Sequence, residues 1–406
     1  MNKRRILMIP GPNEPYPEIL ETLPRLVYPH YSNEWEEIYI DTCNKLKKIF
    51  QTNNDVLIFP GSGASAIGWL VSNIVEKGDK IINIKNGFFG ELLERKIKIC
   101  GGEVINVETE FGKSIKPEEL EGKVLKNKDA KAIFVVQNET SSGVLNPIKE
   151  ISKIAEENDM PFIVDAISGF GGIELKMDQW HIDACIGYAS KCLGSIAMLS
   201  PIAFNERILE ISKRNTRVQP IIPKLQAWKV PTWYDDAIGG ISATTPVAMP
   251  TLNILALRKA TELALKEGLE NRFRRHCIAA KAVREGIKSM GLQILPKDED
   301  ASPTLTAVEV PDGMETKIRN FMIDKFNIMI GGSLGTYGKG KLLRIGHMGL
   351  TASPEFVIPT IYALEQVLLE LGFDIDEGAG VTSALEIFKK NPNEWIKSLL
   401  LHFQLE

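Results

Sequence analysis

The spacing of apolar positions changes along the chain and divides it into regions. Between residues 34 and 50, Trp35, Ile38, Tyr39, Cys43, Leu46 and Ile49 recur at helical steps, which predicts a helix. Short apolar runs then predict strands at 55–60, 80–84, 103–107, 131–137, 161–165 and 184–187. Helical spacing lies between them: after the Gly61-Ser62-Gly63 turn, at 90–99 and at 147–158. Such alternation predicts an α/β domain with a mostly parallel sheet flanked by helices. Its ligand site is expected beyond the carboxyl ends of the strands. From about residue 250 the texture changes, with helices at 252–268, 272–290, 315–326 and 354–371 and strand-like runs at 305–310 and 342–345. This reads as a smaller α+β domain.

Pro10, Pro12, Pro15 and Pro17 keep the first residues from forming a regular helix or a central strand, so they read as an extended arm. Residues 376–406 read as an acidic, glycine-containing link followed by an amphipathic helix around Trp395, Leu399, Leu400 and Phe403. The expected division is an arm at 1–20, a large domain at 21–255, a small domain at 256–375 and a tail at 376–406. A chain of 406 residues fits two domains of unequal size.

Charge removes several function classes. The chain has 48 basic and 52 acidic residues, a formal net charge of −4. That balance gives no electrostatic reason to expect a nucleic acid or a membrane surface as partner. No apolar run is long enough to span a bilayer, and the four-residue apolar run near the amino terminus is too short for a signal-peptide core. Cys43, Cys100, Cys185, Cys192 and Cys277 are scattered, without metal spacing, and read as reduced thiols of a cytoplasmic protein.

One lysine carries the strongest chemical signal. Lys191 lies in Ile-Gly-Tyr-Ala-Ser-Lys-Cys-Leu-Gly-Ser, a stretch with no other charge. A poorly solvated amine loses its proton more easily, and a neutral amine can form a Schiff base. Upstream, the apolar run Phe-Ile-Val ends in the carboxylate of Asp165. A carboxylate there can hold the protonated ring nitrogen of pyridoxal phosphate, or it can cap a following helix. Pro60-Gly-Ser-Gly-Ala-Ser65 follows a strand and opens a helix, a place where backbone N–H groups can receive a phosphate. The same glycines loosely fit a dinucleotide turn. That rival wants an acid at the end of the next strand, and this one ends Ile-Asn-Ile-Lys85-Asn86-Gly87. Phe89 could stack on a flat ring or be an ordinary core residue. The hydroxyls of Asn138-Glu-Thr-Ser-Ser-Gly143 could hold a ring oxygen or cap a helix. Arg344, alone in a strand-like run, wants an anion, either a structural carboxylate or that of a substrate.

With these residues the chain resembles the class V aminotransferases of pyridoxal phosphate fold type I, closest in texture to the alanine–glyoxylate and serine–pyruvate aminotransferases. The shared motifs occur in order from Ile9-Pro-Gly-Pro12 to about residue 375. They are Gly-Ser-Gly, Asn-Gly-Phe-Phe-Gly-Glu, Glu-Thr-Ser-Ser-Gly-Val-Leu-Asn-Pro, Val-Asp-Ala-Ile-Ser-Gly-Phe-Gly-Gly, Ser-Lys and Arg-Ile-Gly-His-Met-Gly. The resemblance implies that Lys191 is the Schiff-base lysine and that Asp165 pairs with the pyridine nitrogen. It implies Phe89 over the ring, Ser62, Gly63 and Ala64 on the phosphate, and Thr140 at the ring side. Ser190 precedes the lysine where many members have glutamine. Thr244 would reach the phosphate held by the other subunit, which implies a homodimer, and Arg344 with Gly11 nearby would bind the substrate carboxylate. The activity implied is transfer of an amino group from a small amino acid, of alanine or serine type, to a 2-oxo acid such as glyoxylate or pyruvate.

The alternatives are a 2-aminoethylphosphonate–pyruvate type aminotransferase, whose Ser-Lys-Cys-Leu-Gly texture is similar, and a lyase or desulfurase of the same fold. Desulfurases want a histidine over the ring, and none lies between His30 and His181. The segment 217–240, with Trp228 and Trp233, is longer than simple alanine–glyoxylate members lead one to expect.

Overall fold

The computed structural model of the chain describes residues 5–23, 28–29, 32–216, 223–228 and 245–392. Its centre is a seven-stranded sheet. In chain order the strands are β1 (Asp55–Pro60), β2 (Lys80–Lys85), β3 (Glu103–Glu108), β4 (Ala132–Val136), β5 (Phe162–Asp165), β6 (Ala184–Ile186) and β7 (Leu199–Phe204). Their spatial order is β1-β7-β6-β5-β4-β2-β3, and all neighbours are parallel except those of β7, which is antiparallel to both sides. Every residue of β4, β5, β6 and β7 is buried, the near-continuous apolar signature of a sheet covered on both faces.

The strand β7 escaped the sequence reading because Pro201 interrupts it. The Pro201 carbonyl accepts the Gly187 N–H at 2.8 Å, where the neighbouring strand β6 has already ended at Ile186. The missing proline N–H therefore breaks no ladder bond on that side. The helix Asn33–Phe50 matches its spacing, with Ser32 as N-cap accepting from the Trp35 N–H. The helix Phe88–Ile99 starts two residues earlier than its apolar spacing suggests.

The carboxyl ends of the parallel strands share one edge of the sheet. The segments that follow them carry Ser62, Phe89, Thr140, Asp165 and Lys191, so the topology collects those residues at that edge.

A second, smaller core lies around a three-stranded antiparallel sheet of Gln293–Ile294, Leu305–Glu309 and Leu342–Gly346. The helix Thr251–Glu267 buries Ile254, Leu257 and Ala264 in the large core, whereas Leu269–Ser289 buries Ala279, Val283 and Ile287 in the small one. The arm is not extended throughout. Ile6–Met8 forms a strand parallel to Ile328–Ile330, and Pro17–Leu20 is a short helix. The tail also differs from expectation: a helix already runs at Ala379–Lys390 and buries Ala384, Ile387 and Phe388 in the small core. The helix expected around Trp395, Leu399, Leu400 and Phe403 lies outside the described residues, as does the segment 217–240 apart from 223–228. No helix among the described residues is long and apolar enough to cross a membrane.

Candidate active site

One cavity at the carboxyl edge is lined by Ser62, Gly63, Ala64, Phe89, Thr140, Asp165 and Lys191. Ser62 caps the helix Gly63–Ile74, its Oγ accepting the Ser65 N–H at 3.2 Å. The N–H groups of Gly63 and Ala64 lie in the first helical turn, where no helical carbonyl precedes them. That turn is an anion seat in its own right. It is closely built, since a Cβ at Gly63 would lie 2.8 Å from Ile167 Cδ1.

Asp165 ends β5 and is 8% exposed. Burial pushes its carboxyl up to about 7, and the charge of Glu139 adds to this. The Ile167 N–H at 3.0 Å, with Lys96 and Lys191, pulls the other way. Lys191 is shifted oppositely. Burial lowers its amine to about 8, and the positive charge of Arg344 helps. Its Nζ donates to the Pro10 carbonyl. Gly11 lies against it at φ +97°, and a Cβ there would sit 2.7 Å from Lys191 Cε. That position therefore needs glycine twice over, for its backbone and for the lysine.

Arg344 is 7% exposed. Its Nε donates to the Gly332 carbonyl at 2.5 Å and its Nη1 to the Thr140 carbonyl at 2.9 Å. No carboxylate is bonded to it among the described residues, and burial lowers its pKa to about 10. The structural salt bridge open in the sequence reading is thus not made among them.

Ser190 does not line the cavity. Its Oγ is buried without a hydrogen-bond partner among the described residues, and its carbonyl accepts the Asn13 N–H at 3.2 Å. Thr244 lies outside the described residues.

The structure adds residues that sequence reasoning gave no role. Glu139 is fully buried and accepts from the N–H groups of Phe89 and Gly90, each at 3.0 Å, and from Ser141 Oγ and N–H. It caps the helix that presents Phe89, and burial raises its pKa against those four donors. Its place beside Thr140 and the uncapped Gly87 start were signals for this. Asn138, Ser168, Ile167 and Tyr188 line the cavity as well. The Oδ1 of Asn138 is buried and has no partner among the described residues, while its Nδ2 donates to Ser168 Oγ and Thr304 Oγ1, each at 3.0 Å.

These donors fit pyridoxal phosphate. A helix start offers N–H groups to an anion, a buried carboxyl near 7 has no bonded cation among the described residues, and an amine near 8 faces the same space. Fold and cavity together define an enzyme of pyridoxal phosphate fold type I. Comparison with known proteins narrows the class. The profile described as "Aminotransferase class-V" matches residues 22–196. An uncharacterized aminotransferase of Methanocaldococcus jannaschii is 38% identical over 95% of this chain and 98% of its own. The (S)-ureidoglycine–glyoxylate transaminase of Bacillus subtilis is 32% identical over 95% of each chain. Its crystal structure superposes with a TM-score of 0.87 over 96% of this chain and 99% of that one. A serine–glyoxylate aminotransferase of Methylorubrum extorquens is 28% identical over 96% of this chain and 97% of its own. The chain belongs to the class V aminotransferase family, and it is an aminotransferase.

Proposed function

We propose that this aminotransferase moves an amino group from a small amino acid, of alanine or serine type, to glyoxylate or pyruvate. The observation that carries the reading is the buried Arg344 fork beside Thr140, with no carboxylate bonded to it among the described residues. A guanidinium in that state suits the α-carboxylate of a substrate. The Bacillus subtilis and Methylorubrum extorquens relatives are both named for glyoxylate, which supports that acceptor.

Each residue then has a task. The first turn at Ser62, Gly63 and Ala64 binds the cofactor phosphate. Asp165 would hold the ring nitrogen with its negative charge, and Phe89 would hold the ring by stacking. Thr140 borders the ring and hands its carbonyl to Arg344, so ring and carboxylate sites share one segment. When bound, pyridoxal phosphate supplies an electron sink and a carbon that receives and returns the amino group. Lys191 would hold it covalently and, once released, would take the proton from the substrate α-carbon at Nζ and deliver it to that carbon of the cofactor. An amine near 8 exists in both protonation states near neutral pH, which suits both halves of that task. Gly11 leaves room for the lysine to swing.

The working unit in this reading is a cytoplasmic homodimer. Met198, whose N–H donates to the Tyr188 hydroxyl at 3.1 Å, is 53% exposed beside the cavity, and a second copy would cover it. Thr244 would come from that copy.

The test is a half-reaction. Purified enzyme is mixed with alanine, serine, aspartate or 2-aminoethylphosphonate without acceptor, and absorbance follows conversion to the pyridoxamine form. Alanine or serine should convert it fastest, and glyoxylate or pyruvate should restore it. A clear preference for the phosphonate would replace the proposed donor.

A further inference from the structure

Beneath the cavity lies a second charged cluster that the proposed reaction does not use. Glu267, Arg272 and Arg275 are buried at the junction of the helices Thr251–Glu267 and Leu269–Ser289. Glu267 accepts Arg272 Nη1 and Arg275 Nε, each at 2.6 Å. Arg275 Nη2 also donates to Glu267 at 3.2 Å, and the other guanidinium bonds go to main-chain carbonyls and one tyrosine. Arg272 Nε donates to the Gly171 carbonyl at 2.7 Å, in the loop after Asp165. Its Nη2 donates to the Cys192 carbonyl at 2.7 Å and the Leu193 carbonyl at 3.3 Å, the two residues after Lys191. Arg275 Nη1 donates to the carbonyls of Gly349 and Ala352 at 2.8 and 2.9 Å, in the turn after Arg344 and its strand. Its Nη2 reaches the Tyr16 hydroxyl at 3.3 Å, on the arm that carries Gly11. His276 closes the unit, with Nδ1 at 2.8 Å from the Arg272 carbonyl and Nε2 accepting the Gly349 N–H at 3.0 Å. That pairing requires the neutral Nδ1–H tautomer, in keeping with a pKa pushed well below the ordinary histidine range, chiefly by burial.

We propose that this cluster is a clamp that sets the placement of Lys191 relative to Asp165 and Arg344, with Arg272 the positioning residue of the lysine turn. The inference rests on the reading of Lys191 and Asp165 as the reacting pair. Every main-chain acceptor of Arg272 and Arg275 belongs to a segment that bears one of the proposed site residues. The segments meet closely: a Cβ on Gly172 would lie 2.6 Å from Cys192 Cβ, and one on Gly349 would lie 3.1 Å from the Cys192 carbonyl. A buried ion cluster is a poor way to gain stability, because apolar side chains of similar volume do as well or better. Its particular gift here is geometry, since a planar fork can bind two separate loops at fixed angles.

The test uses the full chain with Arg272→Met, Arg272→Lys and, as a control in the tail helix, Phe388→Leu. Each protein is stripped of cofactor and titrated with pyridoxal phosphate, and thermal melting, borohydride fixation on the Lys191 peptide, kcat and KM are measured. Arg272→Met should lower the melting temperature, because Glu267 and three buried carbonyls lose a donor, and should in addition bind pyridoxal phosphate about tenfold more weakly. Its kcat should fall about a hundredfold, as expected for a reacting group displaced by about 1 Å, with the donor KM changed less than about threefold. Arg272→Lys keeps the charge without the fork and should recover only part of both losses. Phe388→Leu should lower the melting temperature and leave affinity and kcat unchanged. If Arg272→Met moves only the melting temperature, the cluster is fold support and the proposal fails. If Arg272→Met does not fold, wild-type affinity and kcat in Arg272→Lys overturn it equally. Failure of the underlying reading looks different: borohydride would then fix no cofactor on Lys191 in the wild type.

Discussion

Two buried charged clusters flank the Lys191 turn, and their pKa values move in opposite directions although burial acts on both alike. In the cavity, Asp165 is pushed up to about 7 and Lys191 down to about 8, each toward its neutral form. In the clamp beneath, Glu267 is held well below the usual carboxylate range and Arg275 well above the usual arginine value. Desolvation is the first cause in all four. The clamp overcomes it because Glu267 accepts from both guanidiniums. The Asp165 carboxylate accepts one backbone N–H, from Ile167, and has no bonded cation among the described residues. Pairing, not depth, therefore separates a group poised to exchange protons from one that is fixed in charge. The cavity leaves its charges incomplete in a way that a bound cofactor and substrate would complete.

The largest expected effect removes the reactive member of the cavity. Lys191→Ala should lose multiple turnover by at least about a thousandfold, since covalent attachment and proton transfer both go. It should still bind pyridoxal phosphate, and borohydride should no longer fix it to the chain. Steady-state assay and peptide mapping check both. Full activity in this variant would end the assignment.

The comparison is sharpest when the same change is made in both clusters. Glu267→Gln leaves two buried guanidiniums without their carboxylate and should cost about 3–5 kcal/mol. The folded pKa of Glu267 is depressed, so its contribution is present above the unfolded carboxylate value and fades only as pH falls through the lower folded one. Asp165→Asn should have the opposite sign in the cofactor-free protein. Its folded pKa is raised to about 7, so the wild type loses stability as pH rises from near 4 to near 7, and an amide does not. The variant should match wild type below about pH 4 and exceed it by a few kcal/mol above about pH 7. Urea unfolding at several pH values reads both. Asp165→Asn should nevertheless turn over far more slowly, because an amide cannot carry the charge of a protonated ring. Equal signs for the two substitutions would break the distinction drawn above.

The sequence made the cavity more legible than the clamp, for a physical reason. Lys191 and Asp165 stand out because a charge within an apolar stretch is anomalous along the chain itself. The Gly61-Ser62-Gly63 turn is likewise a local signal. Arg272 and Arg275 read as the polar face of an amphipathic helix, and their burial depends on Gly171, Cys192 and Gly349, which the fold brings from far away in sequence. Asn138 and Tyr188 line the cavity from positions that look like ordinary turn residues. The strand alternation was readable because period carries it, and β7 was not, because Pro201 masks its run. Gly378 and Gly380 similarly hid the helix at Ala379–Lys390, whose first residues pack tightly enough that a Cβ on Gly380 would meet Met290 Sδ at 3.0 Å.

The smallest expected effect concerns Ser62, which lines the cavity and caps the helix behind it. Ser62 is already partnered, since its Oγ accepts from the Ser65 N–H and lies 2.9 Å from Ser65 Oγ. Ser62→Ala should cost about 1 kcal/mol of stability through the lost cap. If that is its whole role, the apo-protein loses this amount and pyridoxal phosphate affinity hardly changes. If the hydroxyl also turns to the phosphate, affinity should weaken by about tenfold, the loss of roughly 1.4 kcal/mol. A Ser62→Asp variant separates the two further, because aspartate caps a helix as well as serine does but places a negative charge where the phosphate should sit. Preserved stability with abolished cofactor binding is the outcome expected of an anion seat. Unchanged binding in Ser62→Asp would move the phosphate away from this helix start.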